Sequence, residues 1–211
     1  MKKFLFIMTV LLVSVLSTAC INNLAVQELN NKAKVFMDKG DYENAISRLQ
    51  ASIDLDDSIF ETQYNLGVAY TYADKYNEAI ETFDKAVKLK PDMPETYYSL
   101  GVAQENFAID IVKGLIKSDG KPYTDEEIQD MSSSSGNISL SDEDIAKIKL
   151  LYENAVQSYE TYLQKSGKPK DVENVESKIA NIKTEIEKLN NPDLVNSVSE
   201  SDSDNRSFSV E

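Results

Sequence analysis

The chain has 211 residues, enough for one ordinary domain with additions, and 36 acidic against 22 basic residues give it a net charge of −14. Such a surface repels phosphate, which excludes a nucleic-acid function and electrostatic docking on anionic lipid. The chain has no histidine and a single cysteine; this removes the commonest general base and metal ligand and rules out an intrachain disulfide.

Residues 1–19 have the layout of an export signal. Lys2 and Lys3 make a basic end, and Phe4 to Leu16 is a mostly apolar run of 13 residues, short of the roughly 20 that a membrane-spanning helix needs. Removing the segment leaves 20 basic against 36 acidic residues, a net charge of −16. The run ends in Leu16-Ser17-Thr18-Ala19-Cys20, which contains the lone cysteine. This stretch resembles the bacterial lipobox, with Ser17 in place of the usual Leu and Leu16 one place further out. The resemblance implies cleavage before Cys20, diacylglycerol on its thiol and attachment to a membrane through that lipid. Plain cleavage after Ala19, leaving an unmodified cysteine, is the other reading. Ile21 stands where an Asp would resemble an inner-membrane retention signal. The lipoprotein rules then imply an outer membrane, facing the periplasm, where the organism has one, and the outer face of the cell membrane where it does not. Residues 20–25 would be a short tether.

The stretch Phe60 to Met93 reads as one complete helix–turn–helix unit. Gly67 and Ala79 let two helices approach closely, Leu66, Tyr70, Ile80 and Phe83 fill the space around them, and Pro91 ends the unit. Leu66, Gly67, Tyr70, Ala79, Phe83 and Pro91 stand at the offsets of L-G-x2-Y…A-x3-F…P. The stretch thus resembles the tetratricopeptide repeat, with Gln63 replacing the opening Trp. A shift of 34 residues toward the N-terminus gives a degenerate copy at 26–59: Ala33 aligns with Gly67, Phe36 with Tyr70, Ala45 with Ala79 and Leu49 with Phe83. The shift toward the C-terminus gives Tyr97, Leu100 and Gly101. The register then breaks and resumes at Leu151, with Ala155 and Tyr159 matching Ala79 and Phe83. A third repeat, 94–166, is therefore split by an insertion at 109–150.

Inside the insertion, Phe107, Ile111 and Leu115 keep helical spacing until Ser118-Asp119-Gly120-Lys121-Pro122 stops it. Ile145, Ile148 and Leu151 lead into the second helix, with Ser141 as N-cap. The expectation is two over-long helices pairing as an antiparallel arm. At its tip Thr124-Asp125-Glu126-Glu127 forms a capping box for about two helical turns, and a loop starts at Met131. A last helix spans 171–190. Val172, Val175, Ile179, Ile182, Ile186 and Leu189 form a narrow heptad seam on it. That seam suits a helix capping the third repeat, or a coiled coil assembling a homo-oligomer, as the arm also could. Residues 191–211 are a Ser-rich acidic tail with the composition of a disordered segment.

Nothing in the chain marks a catalytic group, so it reads as a non-enzyme with no cofactor. Asp125, Glu126, Glu127 and Asp130 lack the alternating order of a calcium loop, and no metal site is expected. The resemblance implies an all-α solenoid of three helical hairpins over 26–166. It also implies a concave groove lined by the first helix of each pair, for a protein or peptide partner. Carried onto this sequence, the groove positions are Asn30, Lys34, Tyr64, Val68, Tyr72, Tyr98, Val102 and Glu105. The tyrosines either contact a partner or pack within the protein. A carboxylate clamp for acidic peptides is incomplete, because Lys34 is the one base at the fifth and ninth positions of the repeats.

Overall fold

In a computed structural model the described residues are 23–133, 140–167 and 169–191. The export signal, Cys20 and residues 192–211 lie outside them. The described residues form eight helices: α1 (23–37), α2 (Tyr42–Leu55), α3 (Phe60–Tyr72), α4 (Tyr76–Leu89), α5 (Pro94–Val112), α6 (Asp125–Ser133), α7 (Asp142–Ser166) and α8 (Val172–Asn190). None of them is long and apolar enough to cross a membrane. Two compact units divide at Leu100/Gly101, within α5.

In the first unit the 34-residue shift is visible in the backbone. Gly40 and Asp74 both take positive φ, 72° and 56°, at the turns between paired helices. Asp41 N–H donates to the Phe36 carbonyl and Lys75 N–H to the Tyr70 carbonyl, both at 2.9 Å. Gly occupies this left-handed position without strain, and Asp is among the few other residues that tolerate it. The tight contact between paired helices recurs with different side chains. A Cβ on Gly67 would stand 2.7 Å from the Phe83 ring. In the first repeat the same positions hold Ala33 and Leu49, both with no exposed surface. The larger residue on one helix is matched by a smaller one on the other, so the packed volume is conserved.

A polar network lies between the first two repeats. Asn30 Nδ2 donates to Ser52 Oγ and Thr62 Oγ1, each at 2.9 Å, and to the Val26 carbonyl at 3.0 Å. Tyr64, Ala86 and Thr96 follow these three side chains by one repeat. Neither Tyr64 nor Ala86 reproduces the arrangement, and the buried Thr96 hydroxyl has no hydrogen-bond partner.

In the second unit α5 pairs with α7, and a Cβ on Gly101 would meet the Tyr159 ring at 2.9 Å. Both helices are over-long, 19 and 25 residues against 13 and 14 for α3 and α4. The apolar spacing through Leu115 overstates α5, which ends at Val112. Gly114 turns left-handed there (φ 63°), and Leu115, half exposed, donates its N–H to the Asp110 carbonyl. A bridge between Ile116 and Pro122 closes a small hairpin. The capping box forms as the sequence requires: Thr124 N–H donates to Glu127 Oε2 at 2.7 Å and Glu127 N–H to Thr124 Oγ1 at 3.3 Å. It opens α6, which continues through Ser133, past the point where a loop was expected. Ser141 and Asp144 make a second capping box at the start of α7.

The heptad seam of α8 is used within the chain. Val175, Ile179, Ile182 and Leu189 are buried, and α8 packs on α7 with Tyr162 bonded to Asp171 and Lys183 to Glu160. This is the capping arrangement; Val172 and Ile186, of the same seam, are half-buried.

Candidate functional site

The face of α3 that carries Tyr64, Val68 and Tyr72 is built on aromatic contacts. Tyr64 and Tyr72 are eight residues apart and lie on one side of the helix. The Tyr64 ring stacks on Phe60 (centroids 5.9 Å apart) and meets Phe83 edge-on at 6.0 Å. Its hydroxyl bonds Ser99 Oγ on α5 at 3.1 Å. Tyr72 stacks on Tyr42 of α2, with centroids 4.7 Å apart and planes 6° from parallel. Burial, then the neighbouring Tyr42 and Tyr64 hydroxyls, push the Tyr72 phenol up to about 12, so it is a neutral donor at any physiological pH. Tyr98, on the first turns of α5, is half-buried.

The eight groove positions thus separate by environment. Lys34 is exposed, Tyr64, Tyr72 and Tyr98 are half-buried, and Val68 is buried. Asn30 directs its amide inward to Ser52 and Thr62. In the second unit Val102 is buried. Glu105 accepts from Tyr159 Oη at 2.6 Å and from Lys178 Nζ at 3.2 Å. Its carboxylate therefore ties α8 to α5. The repeat positions alone did not reveal Ser99 or Tyr42, the two residues that fix the tyrosines. Ser99 is a small residue without a pattern, and Tyr42 lies on a second helix.

What this face offers chemically is contact area with oriented hydroxyls. Among the described residues no group of three or more Cys, Asp or Glu side chains is placed to hold a metal ion.

Paired helices that repeat at 34 residues, with a small residue of one under an aromatic ring of the other, define a helical-hairpin repeat protein. The family model described as TPR repeat matches residues 33–73 and 69–106, so this stretch of the chain consists of tetratricopeptide repeats. Solved structures agree. The second TPR domain of the human RPAP3 protein, in complex with the HSP70 peptide SGPTIEEVD, is similar at 17% identity, over 77% of this chain and 98% of that one, with a TM-score of 0.52. The first TPR domain of human RPAP3 is similar at 16% identity over 79% and 96%, with a TM-score of 0.51. The first TPR of Spaghetti (RPAP3) bound to the HSP90 peptide SRMEEVD gives 16%, 78% and 94%, and a TM-score of 0.51. At these identities the likeness is one of fold. No curated protein matches the chain.

Proposed function

We propose that the protein is an exported, lipid-anchored adaptor that holds a peptide segment of a protein partner at the cell envelope. The observation that carries this reading is the aromatic face of the first unit. Tyr64 and Tyr72 are held in place by Ser99, Phe60 and Tyr42 yet are only half-buried. Pre-oriented tyrosines present a large area and a hydroxyl at low entropic cost, as binding surfaces favour. Structures of similar fold hold peptides that end in acidic residues. With Lys34 as the one base among the first-unit groove positions, an extended or helical segment with apolar anchors fits this face better.

The test immobilises the wild-type protein and a Tyr72→Ala/Tyr98→Ala variant of equal helicity, and compares the proteins each retains from an envelope extract. A partner retained only by the wild type supports the reading; identical sets of retained proteins sink it. Membrane attachment rests on Cys20 and the signal before it. Fatty-acid labelling should mark the wild type and place it with membranes, while Cys20→Ser is unlabelled and released. Equal labelling or equal partition of the two removes the lipid from the proposal.

A further inference from the structure

The fourth position of the repeat, where the family pattern has Trp, is Tyr97 in the third repeat and Gln63 in the second. The two side chains make the same bond one repeat apart. Tyr97 Oη donates to the Pro91 carbonyl at 2.9 Å, and Gln63 Nε2 donates to the Asp57 carbonyl at 3.1 Å. Gln63 therefore keeps the polar end of the aromatic residue and omits its ring. An open pocket of about 200 Å³ lies at this place, with Gln63 in its wall.

The pocket has an apolar side formed by Ile53 of α2 and by Leu66 and Tyr70 of α3. Asp54 of α2 and Glu78 of α4, both exposed, stand around it. Glu81 and Lys85 also line it, paired with each other at 3.0 Å. Thr82 lines it too, a residue only 5% exposed. At about 100° per residue, Gln63, Leu66 and Tyr70 lie on the side of α3 opposite Val68 and Tyr72. The pocket is therefore separate from the aromatic face.

We propose that this pocket takes an arginine side chain of a peptide partner. Three carboxylates against one ammonium, itself paired, select a cation over an acidic or neutral group. A planar guanidinium suits the space that an absent ring leaves. Its face lies against Tyr70, its stem along Ile53 and Leu66, and its N–H groups donate to Asp54, Glu78 and the Thr82 hydroxyl. A lysine, with a point charge and no plane, matches this shape less well.

The test is an NMR titration of the ¹⁵N-labelled protein with N-acetyl-arginine amide and, as control, N-acetyl-norleucine amide. Arginine amide should give saturable shifts at Gln63, Tyr70 and Thr82, with norleucine amide at least about tenfold weaker. Gln63→Tyr restores the ring and can keep the bond to Asp57, so it should melt no lower than the wild type and lose the shifts. Asp54→Asn with Glu78→Gln changes only exposed carboxylates and should weaken arginine binding about tenfold. The proposal is overturned by any of three results: no saturable shift with arginine amide, equal binding of norleucine amide, or unchanged binding after the two carboxylate substitutions.

Discussion

Gly67→Ala places a methyl group where its carbon would stand 2.7, 2.8 and 2.9 Å from three ring atoms of Phe83. Phe83 has no exposed surface and cannot swing outward. Overpacking of this kind costs about 1–3 kcal/mol. Replacing Gly by Ala within a helix returns about 1 kcal/mol, so the net loss is about 0–2 kcal/mol. The first repeat shows the remedy, because Ala33 there faces Leu49. Phe83→Leu alone removes buried volume and should cost less than the roughly 3–5 kcal/mol of a Phe→Ala change. Combined, the two substitutions rebuild the first-repeat pair. The double variant should then be more stable than the sum of the single effects by about 1–3 kcal/mol. Urea unfolding followed by circular dichroism, on the chain from residue 20 with Cys20→Ser, measures all four corners of the cycle. Additivity within about 0.5 kcal/mol would show that the close approach of Gly67 to Phe83 is not what restricts this position.

Three further outcomes follow from the same packing. Thr62→Val breaks the bonds to Asn30 and should destabilise by about 1–2 kcal/mol, whereas Thr96→Val removes a buried hydroxyl without a partner and should stabilise by about 0.5–2 kcal/mol; urea midpoints moving in the same direction contradict the account. The Thr124 backbone, with Lys117 and the Thr124 hydroxyl, holds Glu127 below its ordinary 4.5. Burial raises Asp144, but bonds from Ser141 and Ser118 outweigh it and keep the group below 3.8. Depressed carboxylates stabilise above their unfolded pKa and lose that contribution as pH falls through the folded value. Amide protection factors, taken relative to the intrinsic exchange rate at each pH, should therefore fall in α6 and the first turn of α7 below about pH 4, and unchanged protection down to about pH 2 goes against the capping boxes. Because Val175, Ile179, Ile182 and Leu189 of the α8 seam are buried, the chain from residue 20 with Cys20→Ser should sediment as a monomer at all concentrations; a sedimentation coefficient that rises with concentration argues otherwise.

Much of the fold was legible because it rests on local chemistry. The small residues at Gly67 and Ala79, the capping box at Thr124, the N-cap at Ser141 and the seam of α8 are set by residues at fixed short spacings or at the repeat period. The end of α5 was misplaced at Leu115 because the apolar spacing continues past Gly114, and a left-handed glycine outweighs it. The face was harder to read. Repeat position assigns Asn30 to the groove, but Ser52 and Thr62, 22 and 32 residues away, draw its amide inward. Glu105 likewise answers to Lys178, 73 residues further on. A pattern of period 34 gives a position on a helix; it does not give the competing partners that decide where a polar side chain turns.

The split third repeat also bears on the order in which the chain folds. Gly67 meets Phe83 across 16 residues of chain, while Gly101 meets Tyr159 across 58. Closing the longer loop costs about 1 kcal/mol more in chain entropy, since each doubling of length adds about 0.6 kcal/mol. Contacts that are distant in sequence form late in folding. The hairpin α3–α4 is thus suited to form first, and the junction of α5 with α7 closes after it. A chain emerging N-terminus first during synthesis presents the repeats in that same order, with the slowest closure last.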